Sequence, residues 1–154
     1  CALRFIYFYD QYSENNFIGK YDGNMRDSLN GYIEVLNSLS QDELNMYIEP
    51  FKKSMQMAYD LFGEYAFRKI DLDNNKKLSV NKSLMLVISV LLAHHYDKYL
   101  MKVRQKVNLV NNIAKLLETD IQLAKAITSS TADKANILYT MSCLKNNLFD
   151  KYLL

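Results

Sequence analysis

Residues 61–95 read LFGEYAFRKIDLDNNKKLSVNKSLMLVISVLLAHH, and their composition decides the fold. They hold a helix stop at Gly63, a short polar stretch, and then a run that is apolar almost all the way round. A helix hydrophobic on every side must be covered on every side, so residues 82–95 predict the centre of a core. Asn81 stands just before that run, where its side chain can accept from the unpaired N–H groups of a first turn. The apolar stretch 84–93 contains one serine and is about half the ~20 residues a membrane span needs, so it reads as a buried core helix.

Helical periodicity continues on both sides. Upstream, residues 2–12 place Leu3, Ile6 and Tyr7 or Tyr9 at helical spacing before a polar stretch at 13–23. Asn24 can cap a second helix that carries Leu29, Ile33 and Leu36 on one face, with Asp27 suited to its positive end. Ser40 and Glu43 form a capping box, and Leu44, Ile48, Phe51, Met55, Ala58 and Phe62 then recur every three or four residues. Pro50 should kink or split that helix, and Gly63 should end it. Downstream, residues 97–118 predict one long helix carrying Leu100, Val103, Val107, Val110, Ile113 and Leu117. Thr119 with Gln122 opens a short helix, and the run 129–131 caps a last one carrying Ile137, Met141, Leu144, Leu148 and Tyr152. No period-2 run or Asn-Gly hairpin interrupts this pattern, so the expectation is one all-α domain, a bundle of six to eight helices spanning residues 1–154.

Composition agrees. The chain has 154 residues, 49% hydrophobic, enough to bury roughly two-thirds of its unfolded surface. One proline and four glycines leave little material for turns. A net charge of +2 does not by itself select nucleic acid or an acidic partner. Two cysteines, Cys1 and Cys143, make no disulfide framework, which makes a reducing cytoplasm the default expectation. The chain opens at Cys1 on residues patterned like a helix interior, which predicts a piece of a longer protein. The rings of Phe5, Tyr7, Phe8, Tyr9 and Tyr12 surround that first helix. Phe5, Tyr9 and Tyr12 are therefore candidate interface aromatics, facing a preceding domain or a second copy of the chain.

Several constellations imitate chemistry. Residues 71–82, DLDNNKKLSVNK, place Asp71, Asp73 and Asn75 at calcium-ligand positions, yet Lys76 stands where the turn needs glycine and Lys82 where a glutamate must close the site. His94 and His95 are adjacent, and neighbouring helix positions point about 100° apart, so they cannot grip one metal together. Nothing around Cys143 marks an activated thiol. Lys98, Lys102 and Lys106 form a stripe at i, i+4, i+8, whose mutual repulsion a nucleic-acid phosphate would relieve.

The block FGEYAFRK, a polar loop and VNKSLMLVISVLLA resemble the C-terminal helical half of a bacterial family of domains of unknown function. That family includes the N-terminal domains of GmrSD-type modification-dependent restriction endonucleases. Ala66, Phe67, Arg68 and Lys69 match its Ala-Phe-Arg-Lys segment, and Asn81, Lys82, Ser83 and Leu84 match its Asn-Lys-(small)-Leu helix start. Weaker echoes lie in KYDGNMRDSLNGYI (20–33) and KAITSSTADKANILYTMSCLKNNL (125–148). The resemblance implies a nucleotide-dependent, phage-defence function whose chemistry sits in an upstream ParB-like region carrying Asp-Gly-Gln-Gln-Arg. Asp22, Gly23 and Arg26 match three of those five residues, but a polar loop precedes them and a charged helix follows, so they are not read as that motif.

The expectation is thus an accessory helical domain that scaffolds or regulates an upstream nucleotide-dependent, nuclease-like domain, with no catalytic residue, metal site or cofactor of its own. A nucleoside triphosphate and a divalent metal would belong to the parent protein, as would contact with nucleic acid. Arg68, Lys69, Asn81 and Lys82 are the candidate interdomain or ligand contacts, and Lys98, Lys102 and Lys106 the candidate phosphate contacts. A stand-alone protein–protein interaction module is the alternative, and DNA-backbone binding through the lysine stripe the second. One outcome is already specified by residues 71–82: a lysine in the closing position repels the cation, so titration with millimolar calcium should give no heat above dilution. A micromolar affinity would contradict that reading.

Overall fold

In residues 82–94 the apolar pattern is realised as a helix with nine buried side chains of thirteen, exposed only at its ends, at Lys82 and His94. The computed structural model describes residues 2–71 and 76–154. In chain order it forms α1 (Ala2–Gln11), α2 (Met25–Asn37), α3 (Gln41–Phe62), β1 (Arg68–Asp71), β2 (Lys76–Val80), α4 (Lys82–His94), α5 (Tyr96–Arg104), α6 (Val110–Thr119), α7 (Ile121–Ala126), α8 (Lys134–Leu144) and α9 (Asp150–Leu153). The all-α expectation holds, with one small antiparallel hairpin added.

Leu84, Ile88, Val90, Leu91 and Leu92 of α4 are fully buried, and Leu86 and Val87 nearly so. The helix packs most extensively against α3, and also against α1, α5 and α8. Each such side chain contributes about 1.5–3 kcal/mol by leaving water. Three hydroxyls share this interior without remaining unpaired. Ser54 donates to Phe51 O at 2.7 Å, Ser89 to Leu86 O at 3.0 Å and Thr140 to Asn136 O at 2.7 Å, each bonding back along its own helix.

The early caps stand where the sequence puts them. Asn24 accepts from Asp27 N, and Ser40 and Glu43 complete their box. Gly63 ends α3 at φ +55°, a conformation glycine adopts without a Cβ clash. Pro50 does not split α3, which runs unbroken from Gln41 to Phe62.

Four local expectations are corrected. The polar stretch after Tyr65 carries a hairpin in which Arg68 faces Val80 and Ile70 faces Lys77, with an irregularity between Arg68 and Ile70. Its strands are short and rich in charge, so no period-2 signal announced them. Cross-strand bonds hold them, the Arg68 guanidinium donating to Leu78 O at 2.6 Å and Asn81 N to Phe67 O at 2.8 Å, and α6 packs against β1. Asp73 and Asn75 of the calcium-like loop lie outside the described residues.

The long helix expected over 97–118 is instead α5 and α6. Lys106 takes φ +57°, Leu109 is buried with its N–H on Leu61 O at 3.0 Å, and the Asn108 side chain accepts from Val110 N at 2.9 Å. The next two caps fall on aspartates. Asp120, not Thr119, accepts from Leu123 N, and Asp133, beyond the 129–131 run, accepts from Ala135 N and Asn136 N. A carboxylate combines the acceptor with a charge that suits the positive helix end.

Finally, a π-helical turn at Lys145–Phe149 follows α8. The wider turn shifts the phase of everything after it, so Leu153 is buried and Tyr152 lies 37% exposed, the reverse of an unbroken helical reading. The burial of α4 makes a direct test. Leu91→Asp places a carboxylate where no water reaches and should abolish the cooperative helical signal in far-UV circular dichroism, whereas a soluble variant of unchanged stability would contradict the architecture.

Candidate functional site

The start of α4 gathers three stretches that are far apart in the chain. Asn81 accepts from Ser83 N and Leu84 N, both at 2.9 Å, and its amide N–H donates to Ile127 O at 2.8 Å. Its own backbone N–H reaches Phe67 O. Lys69 donates from β1 to the Thr128 hydroxyl at 3.2 Å, and Arg68 Nε to Glu64 O at 3.1 Å. A single asparagine therefore ties the hairpin, the central helix and the turn after α7 into one node. Nearby, Tyr21 fully buries its ring and donates its hydroxyl to Ala132 O, adding the loop before α2.

Two non-glycine residues near this node hold backbone conformations that side chains disfavour: Phe67 at φ +62° and Ser130 at φ +49°. Such residues persist only where surrounding contacts hold them, here the Asn81–Phe67 bond and the donation of Asn136 to Ser129 O and Ser130 O, each at 3.1 Å. Three of the sequence candidates, Arg68, Lys69 and Asn81, thus have their polar groups engaged within the domain. Lys82, in the first turn of α4, is exposed.

The other candidates are dispersed. Lys98 and Lys102 lie on α5, but Lys106 lies beyond its end in a left-handed turn, so the three do not form one helical stripe. The interface aromatics are corrected more sharply. Phe5 is 1% exposed and packs on Phe51 with centroids 4.9 Å apart, and Tyr12 is buried against His94 at 4.4 Å. Tyr9 is half-buried, stacked on Phe5 and packed 4.3 Å from His94. The first helix carries rings on several sides because α2, α3 and α4 all pack against it.

A polar chain assembled from remote segments crosses the C-terminal end of α4. His95 is 5% exposed, with Nε2 at 2.8 Å from the Tyr12 hydroxyl and Nδ1 at 3.6 Å from Glu14 Oε1. Glu14 Oε2 lies 3.8 Å from Lys145 Nζ, which donates to Asp150 Oδ2 at 2.6 Å, while Tyr99 donates to Asp150 Oδ1 at 2.7 Å. Burial favours the neutral imidazole and outweighs Glu14, which raises the pKa, and Lys145 and Lys98 push with burial, so His95 titrates below its ordinary range. Burial pushes the Tyr12 and Tyr99 hydroxyls up. Burial also raises Asp150, but the bonds from Lys145 and Tyr99 overcome it and hold that carboxyl low. Six residues from the loop after α1, the α4–α5 joint, α5 and the C-terminal turns so meet in one polar chain.

Cys143 sits elsewhere, its thiol 3.3 Å from Asp120 Oδ2 and raised to about 11, chiefly by burial. A thiol held protonated beside a carboxylate is a poor nucleophile at neutral pH. No group of three or more His, Cys, Asp or Glu among the described residues is arranged to hold a metal ion. No described helix is long and apolar enough to cross a membrane. Compared with protein-family models, curated proteins and solved structures, the chain matches none.

The His95 environment yields a signed pH dependence. With the folded-state pKa below the unfolded value of about 6.5, the unfolded chain binds more protons between the two. Stability should therefore be full above that value and fall as pH drops through it toward the folded pKa. Urea midpoints between pH 7.5 and 5 should decline in the wild type and decline less in His95→Gln. Equal slopes would remove His95 as the cause.

Proposed function

We propose that this chain is an accessory helical domain that scaffolds or regulates an upstream nucleotide-dependent, nuclease-like domain of the phage-defence type. One observation supports the reading above others. The segments that resemble the restriction-associated family are discontinuous in sequence, at 66–69, 81–84 and 125–148, yet they meet at one node through Asn81–Phe67, Asn81–Ile127 and Lys69–Thr128. A pattern spread over some eighty positions has a physical reason if it encodes that node, since each segment supplies a bond the others need. In this reading Asn81, Arg68 and Lys69 hold the platform rigid, and exposed Lys82 faces the neighbouring domain. Nucleoside triphosphate and divalent metal belong to that upstream domain.

The test compares the purified chain with the full-length parent. The chain alone should neither hydrolyse nucleotide nor cut DNA, while the parent does both. Lys82→Glu should leave the thermal midpoint of the chain nearly unchanged, as surface substitutions do, within about 0.5 kcal/mol. In the parent the same change should lower nucleotide turnover several-fold. Turnover by the chain alone, abolished by one substitution within it, would overturn the assignment. A full-length protein that turns over no nucleotide would remove the inferred enzyme.

A further inference from the structure

The charge of the chain is unevenly spread. Residues 27–51 contain Asp27, Glu34, Asp42, Glu43 and Glu49 and no lysine or arginine, a net −5 within a chain of +2. They form most of α2, the turn after it and the first half of α3. This elbow contributes little to the core. Among its residues only Tyr32 is buried, and α3 has no buried side chain before Ser54. The elbow also shows apolar side chains to water: Ile33, Val35, Met46 and Ile48 are exposed, Met46 by 71%.

Between the elbow and the end of α1 runs a groove with about 340 Å³ of room, lined by Tyr9, Asp10, Leu39, Glu43, Met46 and Tyr47. Its floor is apolar and aromatic, with the Tyr9 and Tyr47 rings edge to face at 6.4 Å. Its polar rim is anionic. Asp10 accepts from neutral donors, the Tyr47 hydroxyl at 3.3 Å and the Gln11 amide at 3.5 Å. Glu43 is held by Ser40 through its backbone N–H and hydroxyl, both at 2.7 Å on Oε2. None of the six lining residues is a cation.

We propose that this groove and the acidic elbow around it form a docking surface for a basic amphipathic segment of a partner polypeptide. An arginine or lysine of that segment would lay its methylene stem on Leu39, Met46 and Tyr47 and bring its charged head to Asp10 and Glu43. Long basic side chains are suited to such a seat, since the stem is apolar and only the head requires an anion. Charge complementarity selects the occupant: Glu49 is paired with Lys52 at 3.0 Å, but the charged residues that line the groove, Asp10 and Glu43, are both acidic, so it repels nucleic-acid phosphate and anionic lipid and attracts a cationic segment. The inference is independent of the proposed enzymatic parent; of the ring candidates Phe5, Tyr9 and Tyr12 the groove uses only half-buried Tyr9, together with residues of the turn after α2 and of α3.

The test uses the whole chain, labelled with 13C at its methionine methyl groups. The probes are a synthetic helical peptide about four turns long, with arginine on one face and leucine on the other, and its glutamate-for-arginine counterpart. The basic peptide should shift the Met46 methyl resonance saturably at physiological salt, and the acidic one should not. Glu34, Asp42 and Asp10 can be changed without removing a helix cap. The triple variant Asp10→Asn, Glu34→Gln, Asp42→Asn should bind the basic peptide about tenfold more weakly. Lys98→Gln with Lys102→Gln, away from the elbow, should leave binding unchanged. An unmoved Met46 signal or equal binding of both peptides would overturn the proposal. So would concentration-dependent self-association that moves Met46 without peptide, which would assign the face to a second copy of the chain.

Discussion

The constraint on which the rest of this molecule depends is that α4 must be wrapped completely. A thirteen-residue helix with leucine, isoleucine and valine around most of its circumference is stable only when neighbours remove that surface from water. That requirement accounts for the dense packing of α3 on one side and for α1, α5 and α8 on the others. It also accounts for the aromatic character of α1. Phe5 and Phe8 are large enough to fill space between α4 and the elements outside it, and a tilted contact of Phe5 with Phe51 and an edge-to-face contact of Phe8 with Tyr21 orient them.

Covering α4 leaves its two ends to be completed by polar groups, and the ends are treated differently. At the N-terminus one asparagine supplies the cap and two further bonds, so the local stop signal is also a tertiary clamp. At the C-terminus His95 is drawn under Tyr12 and becomes part of a chain that ends on Asp150. The first arrangement is neutral and insensitive to pH. The second contains an imidazole whose neutral form is favoured by burial, and it is where acid would first weaken the fold.

The α2–α3 elbow is the part least committed to this core. Its caps are good, and Asn24 and Ser40 make it locally stable, yet Ile33, Val35, Met46 and Ile48 are left in water beside carboxylates of which Glu49 is paired with Lys52. Elements that scaffold spend their hydrophobic residues inward. Met46 and Val35, kept outward, are the side chains that the proposed docking surface would offer a partner.

Much of this was legible without coordinates. The centrality of α4, the caps at Asn24, Ser40 and Asn81 and the stop at Gly63 follow from patterns within a few residues of one another. Local hydrogen bonding and helical periodicity depend only on near neighbours, which is why a sequence determines them. The hairpin after Tyr65, the break at Lys106 and the phase shift after Leu144 depend on remote partners: Leu78 and Phe67 across the hairpin, and Leu61 O for Leu109. The same holds for the candidate site. Arg68, Lys69 and Asn81 could be singled out one by one, but only the fold joins them to Ile127 and Thr128, and only the fold places Tyr12 and Glu14 against His95. Contacts between residues more than eighty positions apart arise from the packing of whole helices, and no local pattern records which side chains that packing brings together.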